Sequence, residues 1–289
     1  MKKKTVLLFA ILTLVFSSAN SQDSAANKRR DAPLSETIKI MSFNIQIFGV
    51  SKMSKPDVAG ILADIVSGAD IIAVQEVRSF TIDPVEQFMT LLPDTYKYVI
   101  GPQQGRSSSK EQYWVIYNAD KITVLKEDSW PDKDDIFERS PYAVYFKTRG
   151  AFDFILLNNH IQPRSAEKEI RALPNVVTYY SDLWKDPDVL VVGDFNADGQ
   201  YFDSSLLNSI FPETVYKIIF TNEDTTLAKS HNTYDRFIIT GSAVEDFTGN
   251  FGVIRFDETY NFDDYSILPR NISDHYPIWA DFWINCDTD

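Results

Sequence analysis

Three short phrases carry the chemistry of this chain: Gly193-Asp194-Phe195-Asn196, Tyr234-Asp235-Arg236 and Ser273-Asp274-His275-Tyr276-Pro277. Each puts acidic, amide or imidazole groups where an apolar, strand-like run begins or ends. Asn44, Glu76, Glu111 and His160 stand at further strand edges. Together they offer oxygen ligands for a hard divalent cation and two histidines that could move protons. That inventory suits metal-assisted hydrolysis of a phosphate ester.

Each residue also has an ordinary reading. Glu76 closes the run Ile71-Ile72-Ala73-Val74-Gln75 and could hold Mg²⁺, or could simply be an exposed strand end. Asp194 and Asn196 flank Phe195, so alternation puts both polar side chains on one side and turns Phe195 into the core; an Asx-turn is the alternative. Asp274 could bind the metal or orient a water whose proton His275 takes. A satisfied, half-buried histidine is the usual reading of any one imidazole, but of the 3 in the chain, His160 and His275 lie at strand boundaries beside carboxylates or amides. His231 reads as surface or loop. Asp235 and Glu111 are candidate orienters, since a carboxylate on one ring nitrogen fixes the tautomer and raises the basicity of the other. Otherwise Asp235 caps a turn and Glu111 pairs with Lys110 or Arg106. Arg78 and Arg139 could meet phosphates bidentately, against plain surface solvation. Asp224-Thr225-Thr226 reads as a turn or a structural Ca²⁺ loop.

The elements that must position these groups follow from periodicity. Strands are predicted at Thr37 to Asn44, Asp70 to Glu76, Tyr96 to Ile100, Tyr113 to Asn118, Ile122 to Lys126, Tyr142 to Lys147, Phe154 to His160 and Val189 to Asp194. Later strands are expected at Tyr216 to Thr221, Arg236 to Thr240 and Ile278 to Ile284. Helical spacing covers Ser54 to Ser67, with Ser54 as N-cap and Pro56 in the first turn, and Pro84 to Leu92. It also covers Ala166 to Trp184, where Pro174 forces a kink or break. Many strands with hairpin and crossover spacings imply two packed sheets with helices outside. Asn44, Glu76, His160 and Asp194 then converge from strand C-terminal ends on one rim.

Composition bounds the rest. Lys2, Lys3 and Lys4 precede an apolar run from Val6 to Phe16 and small residues, the pattern of a secretory signal peptide. That run is too short to span a bilayer. Cleavage is placed near Ser21, leaving Gln22 first, with Ala19 nearly as good. The expected division is a signal peptide over 1–21, a flexible arm over 22–36 and one catalytic domain over 37–285. The single cysteine, Cys286, cannot make an internal bridge, which fits a periplasmic or secreted protein stabilised by its core. Net charge is −13, or −16 without the three leader lysines, which argues against passive, charge-driven nucleic-acid binding but not against a nucleic-acid enzyme with bound cations.

Taken in order, further phrases join the set: Lys39-Ile40-Met41-Ser42-Phe43-Asn44-Ile45, Phe48-Gly49, Lys52-Met53-Ser54, Asp70 to Arg78, Thr95 to Val99, Gly105-Arg106-Ser107, Lys110-Glu111 and Thr233-Tyr234-Asp235-Arg236. With them the chain resembles the endonuclease/exonuclease/phosphatase superfamily, and within it the deoxyribonuclease I type, over about Thr37 to Trp283. The resemblance implies a four-layer α/β (α+β) sandwich of two mainly antiparallel sheets flanked by helices. It implies Mg²⁺- or Mn²⁺-dependent hydrolysis of DNA phosphodiesters, helped by Ca²⁺, by a monomer without a membrane anchor. By motif position, His160 with Glu111 would be the general acid and His275 with Asp235 the general base, an assignment that can be swapped. Asn44, Glu76, Asp194, Asn196 and Asp274 would hold metal and phosphate. Arg78, Arg139 and Tyr201 would contact DNA, and Asp224 and Thr226 would serve a Ca²⁺ site.

Departures are equally specific. Ser109 replaces the tyrosine that packs into the minor groove and Gln46 replaces an arginine, changes expected to weaken duplex binding or alter preference. Gly199 and Asn232 occupy one of the family's two cysteine pairs, and the loop from Trp130 to Glu138 lacks the other. Ser230 is a conservative match and Ala228 a loss around the first Ca²⁺ loop; at the second, Asp135 matches and Ser140 does not. The alternative enzyme is a secreted phosphodiesterase or phosphatase acting on a phospholipid or other phosphoester. A binding protein that keeps the fold without catalysis is opposed by the presence of both histidines.

Overall fold

The computed structural model describes residues 36–106, 110–264 and 267–287. The proposed leader, nearly all of the arm, and Ser107 and Ser109 lie outside the described residues.

Two six-stranded sheets form the centre. In the first, β1 (Thr37–Phe48) and β2 (Ile71–Val77) run parallel at the middle. β12 (Ile278–Trp283) and β11 (Phe247–Val253) extend it on one side, and β4 (Gln112–Asn118) and β3 (Tyr96–Ile100) on the other. In the second, β7 (Asp153–His160) and β8 (Val189–Asp194) are the central parallel pair. β6 (Tyr142–Thr148) and β5 (Ile122–Ser129) flank one side, and β10 (Asp235–Thr240) and β9 (Tyr216–Ile219) the other. All other neighbours pair antiparallel.

The sequence pattern explains the layering. Ile71 to Val74 and Val189 to Val192 are unbroken apolar runs because both faces of these central strands are covered. Ile38, Ile40, Ile278, Ala280 and Phe282 meet Phe146, Phe154, Leu156, Val192 and Phe237 between the sheets. Met41, Phe43, Ile72 and Val74 turn to the opposite face, against helices α2 (Pro56–Ser67) and α3 (Asp83–Met89). Ile155, Leu157 and Val191 pack under α4 (Ala166–Trp184). Each large apolar side chain so buried contributes about 1.5–3 kcal/mol before entropy is counted. Among the polar ties between the sheets, Gln75 Nε2 donates to Asn158 Oδ1 (2.7 Å) and Asn158 Nδ2 to Val74 O (3.1 Å), while Gln75 Nε2 also donates to Ser42 Oγ of its own sheet (3.2 Å).

Several local expectations change. Asn44 does not end its strand. β1 continues to Phe48 through an irregularity in its pairing with β2 between Asn44 and Phe48. Ser54 is not the N-cap of α2; Lys55 holds that position without a side-chain cap. Ser54 instead closes the preceding short helix α1 (Val50–Met53), its Oγ donating to Ser51 O. α4 runs as one helix through Pro174. β11 was not anticipated, because Gly249-Asn250 at its centre is exposed and lacks an apolar side chain.

The positions of the missing cysteine pair lie face to face. Gly199 has φ +60°, and a Cβ there would be 2.8 Å from Asn232 Oδ1. The Asp198 carboxylate clasps the two segments, accepting from Gly199 N at 2.7 Å and Thr233 N at 2.8 Å.

Candidate active site

The site is built where β1 and β2 of one sheet meet the ends of β7, β8 and β10 of the other. Register brings the residues together. His160 lies opposite Asp194 in the parallel pair, and Asp235 lies opposite Asp194 in the antiparallel one. Gly193 permits the first contact: with φ +142°, a Cβ at this position would stand 1.9 Å from Asn159 O, so no side chain is tolerated between Val192 and Asp194.

Asp194 is the hub. Its Oδ2 accepts from Asn44 Nδ2 (3.0 Å) and faces His160 Nε2 (3.4 Å) and His275 Nε2 (3.6 Å). Asn44 Nδ2 also donates to Glu76 Oε1 at 3.2 Å, joining the two carboxylates through one amide. Behind each imidazole stands a carboxylate: Glu111 Oε2 is 3.2 Å from His160 Nδ1, and Asp235 Oδ2 is 2.8 Å from His275 Nδ1. Both rings therefore turn Nε2 toward the same oxygen. Asn196 Nδ2 donates to Ile161 O at 3.0 Å, on the His160 side.

Backbone strain concentrates here. Gln46 (φ 47°), Ile47 (φ 51°), Glu76 (φ 64°) and Asn196 (φ 48°) are all left-handed, a conformation costly for a β-branched residue such as Ile47. Three are held by side chains of the site itself. Gln46 N donates to Asn44 Oδ1 (3.0 Å), Ile47 N to Glu76 Oε2 (3.1 Å) and Asn196 N to Asp194 Oδ1 (2.9 Å).

The electrostatics differ around the two rings. Burial alone would raise the Glu111 carboxyl, but His160, Arg139 and Arg78 outweigh it and hold it down to about 2. Glu111 pairs with Arg139 Nε at 2.6 Å and with Arg78 Nε at 3.9 Å, rather than with Lys110 or Arg106. Burial likewise opposes charge on His160, and Glu111 reverses it, raising the imidazole. At His275 burial is again overcome, by Asp235 and then Asp194, and the ring is raised to about 10.

The remaining candidates fall in distinct places. Arg78 lies at the rim, its Nη2 3.1 Å from Glu76 Oε2. Arg139 is buried behind His160, its Nε donating to His160 O at 3.1 Å, which rules out the alternative of plain surface solvation. Tyr201 packs on Tyr234 at 5.6 Å, and Tyr234 on His275 at 6.3 Å, an aromatic row leading out of the site. Asp274 is half-buried, and its backbone carbonyl accepts from Leu227 N at 2.8 Å. Asp224 Oδ1 accepts from Thr226 N (3.3 Å) and Asn232 N (3.2 Å), and Oδ2 lies 3.9 Å from Arg255, so this carboxylate shapes its own loop. His231 is exposed, bonded through Nε2 to Asn222 O.

Three supporting residues carried no role in the sequence reading. Lys52 is buried and its Nζ donates to Ile45 O (2.6 Å) and Ile272 O (2.7 Å), tying the β1 irregularity to the segment that carries His275. Ser273 Oγ donates to Asn44 O (2.6 Å) and accepts from His275 N (3.0 Å). Tyr113 Oη accepts from His160 N at 2.8 Å. Ser273 and Lys52 stood within quoted phrases, but only the fold shows that they meet the same two segments.

The donor set fits a hard divalent cation. Carboxylate oxygens of Glu76 and Asp194 lie on either side of one amide, next to strained backbone that fixes them. Asp194, Asp235 and His275 also bring ligand atoms within 4.8 Å of one another. The short Asp235–His275 hydrogen bond accounts for that closeness as a proton-relay pair, which leaves Glu76 and Asp194 as the better oxygen site, with Asn44 bridging them through its amide nitrogen.

Comparison with known proteins agrees with this geometry. Residues 41–275 match the Endonuclease/Exonuclease/phosphatase family, and the chain belongs to that family. Within it, the chain is of the deoxyribonuclease I type. It is 34% identical over 258 residues to chicken deoxyribonuclease-1, covering 84% of this chain and 91% of the relative. It is 34% identical over 261 residues to human deoxyribonuclease-1, with coverages of 84% and 91%. Among solved structures, an endonuclease/exonuclease/phosphatase family protein of Bacteroides thetaiotaomicron superposes with a TM-score of 0.65 at 17% identity, covering 86% of this chain and 95% of that one. A mannosyl-6-phosphatase of the same organism gives 0.62 at 16% identity, covering 85% and 99%. These two define the fold alone.

Proposed function

We propose that this protein is a metal-dependent deoxyribonuclease that hydrolyses DNA phosphodiester bonds internally, with little sequence specificity, leaving 5′-phosphate and 3′-hydroxyl ends. The single observation that carries the mechanism is the convergence of two carboxylate-backed imidazoles on Asp194 Oδ2. The likeness to deoxyribonuclease-1 supports DNA as substrate.

Asn44, Glu76 and Asp194, with Asp274 and Asn196 beside them, would hold Mg²⁺ or Mn²⁺ and the scissile phosphate. The cation supplies charge neutralisation at the phosphate and the leaving oxygen. His275, fixed in one tautomer by Asp235, takes the proton of the attacking water. Asp235 first and Asp194 second raise the proton affinity of His275, so a cation on Asp194 would lower it only in part, and the acid and base roles of the two imidazoles can be exchanged without changing the residues. His160, oriented by Glu111, keeps its proton and delivers it to the departing oxygen. Arg78 and Tyr201 would guide the strand. Arg139 would act from behind Glu111, and Asp224 with Thr226 would serve a structural Ca²⁺. We read the protein as a secreted or periplasmic monomer, because of its basic-apolar leader pattern. No helix among the described residues is long and apolar enough to cross a membrane.

The test is nicking of supercoiled plasmid with Mg²⁺, with Mg²⁺ plus Ca²⁺, and with EDTA, alongside His275→Ala. Metal-dependent nicking lost in the variant is the expected result. A folded protein that leaves plasmid intact under every metal condition but hydrolyses a phospholipid or sugar phosphate would overturn the assignment.

A further inference from the structure

Two segments lie side by side at the rim of the site. Residues 45–56 and 77–82 contain no carboxylate, in a protein with 41 acidic residues and a net charge of −13, yet they hold Lys52, Lys55 and Arg78. The fold joins them. Phe48 lies opposite Val77 in the parallel pair, Arg78 N donates to Phe48 O at 2.8 Å, and a Cβ on Gly49 would meet Arg78 O at 3.1 Å.

This acid-free strip also carries the most exposed large apolar side chains near the site. Phe80 is 91% exposed, Val50 67% and Ile47 56%. Phe80 is two residues from Arg78, whose guanidinium contacts Glu76, and the Ile47 amide contacts the other side of the same carboxylate. The backbone beneath Phe80 is held: Gln103 Nε2 donates to Ser79 O at 2.7 Å and Thr81 N to Ser79 Oγ at 3.4 Å. An aromatic ring held out in water on a braced turn gains nothing for folding. Lys55 is exposed on this strip and the Arg78 guanidinium is partly exposed at its edge, so a phosphate can approach it without meeting a carboxylate of the strip itself.

We propose that Phe80, flanked by Ile47 and Val50, is a stacking platform for an unpaired nucleobase of a single-stranded nucleic acid whose phosphate lies at Arg78. The inference rests on the nuclease reading of the neighbouring site. Base faces stack on aromatic rings without regard to sequence, and each such contact is worth a fold-change that can be read directly. Inside a duplex the base faces are covered, so the platform favours single strands and opened ends.

The test is fluorescence anisotropy with a fluorescein-labelled oligothymidine of about ten nucleotides, an abasic strand of equal length and a duplex, in the His275→Ala background with Mg²⁺. Phe80→Ala is expected to weaken oligothymidine binding about 5- to 100-fold, to leave the abasic strand and duplex unchanged, and to leave Tm unchanged. Phe80→Trp is expected to keep the wild-type affinity. Three results would overturn the platform: no oligothymidine preference over the abasic strand in the parent, equal losses on both strands in Phe80→Ala, or a dimer in sedimentation that Phe80→Ala dissolves. Failure of the nuclease reading shows separately, as absence of plasmid nicking by the wild-type protein, and leaves the anisotropy comparison standing.

Discussion

His160 and His275 each set Nδ1 against a buried carboxylate and Nε2 toward Asp194, yet the two carboxylates are held differently. Glu111 is gripped by Arg139 and Arg78 as well as by its imidazole, and its charge is divided among three cations. Asp235 has His275 as the one ion-pair partner found among the described residues. The imidazole side chains are almost equally covered, at 7% and 12% exposure, so burial does not separate them. What separates them is who shares the carboxylate. His275 has its carboxylate largely to itself, while His160 competes for its own with two arginines. The same dyad can thus be tuned toward holding or releasing a proton by residues one layer further out.

The largest expected effect tests both dyads together. His160→Ala and His275→Ala should each lower the rate of plasmid nicking ~10²–10⁴-fold; full activity in both would remove the mechanism. The orienters should then part company. Asp235→Asn is expected to cut activity about 10³-fold and, because the one group left without its carboxylate is an imidazole that can become neutral, to lower stability by less than Glu111→Gln does. Glu111→Gln takes the carboxylate from the buried Arg139, while Arg78 keeps Glu76, and should destabilise by about 3–5 kcal/mol, read as urea midpoints beside nicking rates. Equal stability losses in the two variants would erase the contrast.

pH sharpens the same comparison. Glu111 drops from its ordinary 4.5 to about 2 on folding. Its contribution is therefore complete above pH 4.5 and lost as pH falls toward 2, an effect of about 3 kcal/mol that Glu111→Gln should flatten. His275 rises from 6.5 to about 10. Its contribution is complete below pH 6.5 and lost as pH rises toward 10, and His275→Gln should flatten that limb in thermal melts made in EDTA. The smallest effect belongs to Ser273→Ala, about 1 kcal/mol, which should move the NMR titration of His275 and leave that of His160 in place.

How far the sequence foretold this site depends on the kind of residue. Asp194, Asp235, Glu76 and both histidines were legible because each borders an apolar run whose period gives the strand away. The sheet architecture followed from the same runs. The irregular backbone was not legible: nothing in Gln46 or Ile47 announces a left-handed conformation, which their hydrogen bonds to Asn44 and Glu76 impose. The burial of Arg139 was hidden for a related reason. An arginine reads as surface until a buried Glu111 from another strand is known to meet it. Ser54 had the right residue type for a helix cap, but the short α1 claimed it first. β11 was invisible because an edge strand with a polar centre lacks the alternation that marks buried ones.

The clasp at Asp198 has a bearing on where this enzyme can work. It joins the Gly199 and Thr233 segments with two hydrogen bonds in place of a sulfur bridge, and the chain has a single cysteine, Cys286, so no internal bridge can form. No covalent link holds the loop beside the aromatic row of Tyr201 and Tyr234. The folded protein is therefore indifferent to the thiol–disulfide poise of its surroundings. Its fold needs no oxidising machinery to mature, and a reducing fluid finds no internal bridge to open.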